Sequence, residues 1–324
     1  MALLNIQSAC CLARLITGAS IAVATAARAD SSTLEDIVVT AQRQPEAALA
    51  TPLSIGRVDR EALELLGATH SSEALNRVPG VMVQRGSGQE SLTAIRSPVL
   101  TGAGSCGAFL FLENGVPIRP VGFCNVNEML EINTEQADAI EILRGTGSAL
   151  YGSNSVHGTI NVLQDAPPTL PGWQLGLGLG PDQYTRGSLV ATHTAGTIGS
   201  GVKALYTHDG GWRDQSGFDE GKLNATLTTG AGGGIPSRFD LAATKLEQQT
   251  AGFIPGQDAY RDPGLSRQNL NPEAYRNANA VRLTGLVQPQ TSLPGRLELR
   301  PYFRTSRMDF LQHFLLGQPV ERNG

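Results

Sequence analysis

At 324 residues the chain has room for two ordinary soluble domains, but 38 glycines and only 5% aromatic residues favour strands and turns over helices. A net charge of -4 offers no basic surface to a phosphate backbone, so nucleic acid is not expected as a partner. The five histidines, at 70, 157, 193, 208 and 313, show no metal-ligand spacing, and there is no Gly-x-Ser-x-Gly elbow. Neither a cofactor nor an enzyme is expected.

The N-terminus carries the first signal. Residues 15–27 are an apolar, small-residue stretch that follows Arg14 and ends at Ala27-Arg28-Ala29, an A-x-A cleavage pattern. The stretch is too short to cross a bilayer of about 30 Å as a helix. Residues 1–29 therefore read as a cleaved signal peptide rather than as a buried helix, and the mature chain starts at Asp30. Removal takes Cys10 and Cys11 with it. Cys106 and Cys124 remain as the one pair of an exported chain and are expected to form a disulfide in an oxidising periplasm. The seventeen residues between them make that closure worth about 3 kcal/mol.

Residues 30–52 lack core patterning apart from the β-prone cluster Asp36, Ile37, Val38, Val39, Thr40 and Ala41, ahead of Pro45 and Pro52. They read as a flexible extended segment. Residues 53–165 then read as a compact α+β domain. A strand over 54–58 is followed by a helix over 60–66, capped by Asp59 and closed by Gly67, and by a second helix over 72–77 that stops before Pro79-Gly80. Strands are predicted at 81–84 and 92–95, and those at 109–112 and 116–118 flank Asn114-Gly115, a strong hairpin signal. A helix over 135–139, a strand over 140–143, a turn of small residues over 145–152 and a strand over 159–163 complete the domain.

After Pro167-Pro168 the pattern changes to period two. Seven segments alternate with one apolar side, near 173–179, 184–193, 202–209, 222–229, 238–246, 280–288 and 296–307, with a long polar loop at 248–276. In the last segment Leu297, Leu299, Pro301 and Phe303 share one side, while Glu298, Arg300, Tyr302 and Arg304 share the other, as lipid-facing and lumen-facing positions of a spanning strand would. A soluble β-sandwich alternates in the same way. Thirteen of the seventeen aromatic residues lie after Pro171, and many, such as Trp173, Tyr184, Tyr206 and Phe310, stand near segment ends where interfacial girdles belong. Composition and alternation alone leave both architectures open.

One block of residues decides between them. Ala137-Asp138-Ala139-Ile140-Glu141-Ile142-Leu143-Arg144-Gly145, continued by Ser148-Ala149-Leu150-Tyr151-Gly152 and Gly158-Thr159-Ile160-Asn161-Val162, resembles the plug signature of TonB-dependent outer-membrane receptors. Three further blocks follow the family's order: the 36–41 cluster in the place of the TonB box, Glu73-Ala74-Leu75 to Val78-Pro79-Gly80-Val81, and Glu113-Asn114-Gly115-Val116-Pro117. Ile95-Arg96-Ser97-Pro98 departs from the usual Ile-Arg-Gly, and Gly145-Thr146 from Gly-Pro. The resemblance covers residues 30–165 closely and the remainder through strand pattern.

The resemblance implies an α+β plug over 53–165 and, over 166–324, the first strands of an antiparallel transmembrane β-barrel. Because the family closes about 22 strands and an open edge cannot face lipid, the barrel is expected to continue past Gly324. It also implies export to the outer membrane of a Gram-negative cell, TonB and outer-membrane lipid as partners, and import of a scarce ligand such as a ferric siderophore. Residues 36–41 would bind TonB, and Arg96 and Arg144 would lock the plug to barrel-wall glutamates on later strands, a role suited to the guanidinium fork. Residues 98–105 and 119–126 are candidate plug apices. Two other readings stand beside this one. A plug-only module would bind TonB without transport. A nucleotide-using enzyme would need Arg144-Gly145-Thr146-Gly147-Ser148 to act as a phosphate cradle, but the Gly-Lys-Ser/Thr ending is missing.

Overall fold

In the computed structural model of the chain, the residues described are 38–40, 46–86, 88–99, 109–118, 128–167, 171–230, 234–252, 254–292, 294–312 and 320–323. The signal peptide, Cys106, Cys124 and most of both candidate apices lie outside them, as do Asp36, Ile37 and Ala41.

The first described elements are two short paired strands, β1 (Val38–Val39) and β2 (Glu46–Ala47). Strand β3 (Ile55–Asp59) leads straight into helix α1 (Arg60–Leu66), whose first turn is capped by the Asp59 carboxylate accepting from the Ala62 amide at 2.9 Å. Gly67, at φ 52°, takes the left-handed turn that ends the helix. Helix α2 (Ser71–Leu75) is capped by a histidine: His70 Nδ1 accepts from the Ser72 amide, and its Nε2 donates to the Glu90 carbonyl. The hairpin of β4 (Val81–Arg85) and β5 (Ser91–Ile95) follows. The remaining plug strands are β6 (Phe109–Glu113), β7 (Val116–Pro117), β8 (Ala139–Arg144) and β9 (Gly158–Leu163), with the one-turn helix α3 (Ser148–Tyr151) between the last two.

These strands form a mixed five-stranded sheet of order β3-β8-β9-β6-β7, in which only β6 and β9 run parallel. Asn114 and Gly115 turn β6 into β7 with φ values of 49° and 78°, the left-handed pair that an Asn-Gly turn supplies. The core is the apolar side of this sheet under α1 and α2, with Leu75, Ile95, Ile132, Ile140, Ile142 and Ile160 fully buried. The helix expected over 135–139 is instead a single 3-10 turn at Thr134–Gln136. Ala137 is already extended, at ψ 150°, because the chain must enter β8 two residues later.

Eight strands follow in an antiparallel meander: β10 (Gly172–Leu179), β11 (Thr185–Ala195), β12 (Ile198–Asp209), β13 (Phe218–Thr229), β14 (Ser237–Gln249), β15 (Tyr275–Val287), β16 (Tyr302–Gln312) and β17 (Val320–Asn323). The sheet is open, with β10 and β17 at its edges. The structure thus adds one short strand to the seven read from alternation. It also moves the start of β16 from 296 to 302, since Pro301 has no amide to give the ladder and Leu299 is tied to Val287 only by an isolated bridge. The long loop between β14 and β15 carries helix α4 (Pro263–Arg267), with Pro263 in its first turn and the Asp262 carboxylate accepting from Gly264 and Leu265.

The two faces of this sheet are inverted relative to a soluble protein. Trp173, Leu175, Leu177 and Leu179 on β10, with Leu227, Phe239, Leu283 and Phe303 on later strands, are all exposed on the outer face. The opposite face buries Glu220, Lys222, Asn224, Arg276 and Arg282. A β-sandwich buries its apolar side, so the sandwich reading fails here.

Candidate functional site

The inward face of the sheet is closed by the plug, and the contacts between them follow from the strand period. Register places Lys203, Asn224, Ala242, Arg282 and Arg304 in one cross-strand row, and Lys222, Thr244, Ala280 and Ser306 in the inward row two residues nearer the 250–274 loop. Inward positions of β11 to β16 carry seven cations, Arg186, Lys203, Lys222, Arg238, Arg276, Arg282 and Arg304, against three carboxylates, Asp209, Glu220 and Asp240.

Four ion pairs cross between described plug and wall residues, and each has its cation on the wall. Lys203 Nζ lies 2.6 Å from Asp138, and Lys222 Nζ 2.8 Å from Glu135. Arg282 Nε is 2.8 Å from Glu113, and Arg276 pairs with Glu90 in the β4–β5 turn. Lys222 also faces Glu220, two residues before it on β13, at 3.1 Å, close enough for attraction though not aligned as a hydrogen bond. Arg186 donates to the carbonyls of Gly67 and Ala68, and Arg304 to that of Pro117. Neutral contacts fill the gaps: Asn133 donates to the Leu223 carbonyl and to Asn224, and Thr244 donates to Asn133 and to the Glu131 carbonyl. A small apolar cluster of Leu130, Phe218, Leu246, Ala278 and Met308 packs plug to wall nearer the 250–274 loop.

At the plug's N-terminal end, Val38–Thr40 is docked rather than loose. Val39 is buried, and the Thr40 amide and hydroxyl both donate to the buried carboxylate of Glu141 on β8, at 2.9 and 2.8 Å. Arg57 on β3, the partner of Glu141 in register, holds the other carboxylate oxygen at 2.8 Å. The flexible tail expected at this point is therefore pinned over its three described residues.

Arg96 and Arg144 converge on the plug itself. Arg144 donates to the carbonyls of Pro79 and Ile55, and Arg96 to the hydroxyl of Ser54. Arg96 sits at φ 50°, and Arg144 Nε is buried with no acceptor among the described residues. Neither arginine pairs with a carboxylate among the described residues, and neither reaches the described wall. The charged plug residues that do reach it, Glu90, Glu113, Glu135 and Asp138, were not singled out from the sequence. Their signal was available only once the strand parity showed which side of each wall strand carries Lys203, Lys222, Arg276 and Arg282.

The family model described as TonB-dependent Receptor Plug Domain matches residues 47–159, the segment that ends inside β9. Residues 47–159 are a TonB-dependent receptor plug domain. The plug and the strands after it together share their fold with solved receptors. The siderophore receptor PiuA from Acinetobacter baumannii matches 84% of this chain and 38% of its own at a TM-score of 0.66 and 16% identity. For the ferric yersiniabactin uptake receptor FyuA from Yersinia pestis the values are 81%, 42%, 0.66 and 18%. The ferripyoverdine receptor of the outer membrane of Pseudomonas aeruginosa gives 88%, 40%, 0.69 and 15%. At these identities the likeness is one of fold. The chain spans about two fifths of the length of these solved structures. Plug followed by antiparallel barrel-type strands is the architecture read from the sequence.

Proposed function

We propose that the chain is part of an outer-membrane receptor that imports a scarce ligand, such as a ferric siderophore, with energy delivered through TonB. The observation that carries the reading is the inverted sheet, apolar outside and charged inside, wrapped on a plug whose N-terminal strand stays docked beside it. Lipid is the solvent that such an outer face requires. In this reading the signal peptide of residues 1–29 directs export, and residues 36–41 add as a strand to TonB's periplasmic domain, where backbone hydrogen bonds carry the pull. Arg96 and Arg144, which pair with no carboxylate among the described residues, lock the plug to glutamates of the barrel wall, and Cys106 and Cys124 close a disulfide. The solved receptors of the same fold are named for ferric siderophores, which supports that ligand class. No bond of the ligand is made or broken.

Removal of residues 36–41 from the receptor is the test. Energised uptake of ferric siderophores, screened as a panel, is expected to stop while surface binding is retained. Uptake that survives the deletion refutes TonB coupling through this segment.

A further inference from the structure

The wall's charge goes further than plug retention needs. Over β11 to β16 the inward positions carry four more cations than carboxylates, and four of those cations pair with described plug carboxylates. Two wall cations have donor atoms that the described plug residues leave unused: Arg276 Nε and Arg282 Nη1 are buried without an acceptor among the described residues, on side chains only 2% and 5% exposed. Arg186 and Arg304 also donate to plug carbonyls. The cations are also spread along the wall. Arg276 and Arg282 stand six residues apart on β15, about 20 Å by strand rise, and the level of Lys222 lies between them.

We propose that this wall is an anion path, and that Glu90, Glu135, Glu113 and Asp138 hold at rest the positions that an anionic cargo takes as the plug moves aside. The inference rests on the import reading and names the charge of what is imported. Buried cations are costly to leave unpaired. When the plug shifts, a carboxylate, catecholate or phosphate group on the cargo restores the lost pairs, whereas a cationic cargo is repelled at each step. A low-dielectric lumen of one sign raises the local concentration of the opposite ion. The Glu220 carboxylate beside Lys222 keeps that lysine paired while Glu135 is away, so cargo is passed on rather than trapped.

The test uses the intact receptor that carries this wall, reconstituted in planar bilayers with a potassium chloride gradient and its plug loosened by urea. The open pore is expected to prefer chloride over potassium. Lys203→Gln with Arg282→Gln is expected to lower that permeability ratio about threefold, and Lys203→Arg to leave it unchanged. Lys203 is the least enclosed of the four paired wall cations, so Lys203→Gln alone carries the test if the double variant does not fold. A pore that opens but is cation-selective, or whose ratio ignores these substitutions, overturns the anion path and leaves the barrel reading standing. If urea opens no pore at all, the receptor reading itself fails and takes the anion path with it.

Discussion

Glu141 shows how one buried carboxylate joins two parts of the molecule. Its oxygens accept from Thr40 and Arg57, and hydrogen bonds to a charged group contribute roughly 2 kcal/mol each. Glu141→Ala is expected to free Val38–Thr40 and to speed hydrogen exchange at the Thr40 amide by about tenfold or more, and exchange that stays at the parent rate would remove Glu141 from this role. His70 supplies a pH dependence. Burial, with Arg85 nearby, pushes its imidazole down to about 4 from an ordinary 6.5. The native plug therefore holds it neutral while the unfolded chain takes up a proton, and stability falls as pH drops from about 6.5 to 4, by about 3 kcal/mol at the lower end. Urea unfolding of the plug at pH 7 and pH 4.5 measures this, and His70→Asn, which keeps an acceptor for the α2 cap, is expected to flatten the slope. Of these residues Thr40 was legible as part of a β-prone cluster. Glu141 was visible only as a letter of the plug signature, because nothing in a single sequence says that its side chain turns back to residue 40.

Elements were legible where local chemistry fixes them. Asp59 and Gly67 bound α1, and Asn114-Gly115 closes the β6–β7 hairpin, as their types dictate. Gly115→Ala places a Cβ on a left-handed residue and is expected to cost about 1 kcal/mol, read as a drop of roughly 4 °C in the plug's thermal midpoint; an unchanged midpoint would mean the turn relaxes freely. Local rules failed where a neighbouring element decides. The apolar and acidic letters of 135–139 suit a helix, yet Asp138 is needed to cap the Asp165 amide and to meet Lys203 and Arg60, so the chain stays extended into β8. Alternation from 296 onward suits a strand, yet Pro301 postpones the ladder to Tyr302.

For the whole molecule, period two was enough to place seven wall strands and their loop, but it did not choose between a lipid-facing barrel wall and a soluble sandwich. That choice came from the family resemblance, and the structure turns the leucines of β10 outward and buries Lys222 of β13. Removing one side of a buried pair strands the other, at about 3 to 5 kcal/mol. Lys222→Met is therefore expected to lower the unfolding free energy measured in urea by that much, and adding Glu135→Gln to recover part of it. An additive loss would mean that the two groups do not act as a pair. The account as a whole stands on the sheet being turned inside out around the plug. Nitroxide labels introduced one at a time at 280, 281, 282 and 283 of β15, with the protein in lipid bilayers, measure this by oxygen accessibility. The account predicts high accessibility at the outward positions Val281 and Leu283 and low accessibility at Ala280 and Arg282. Uniform accessibility, or the opposite alternation, would contradict it.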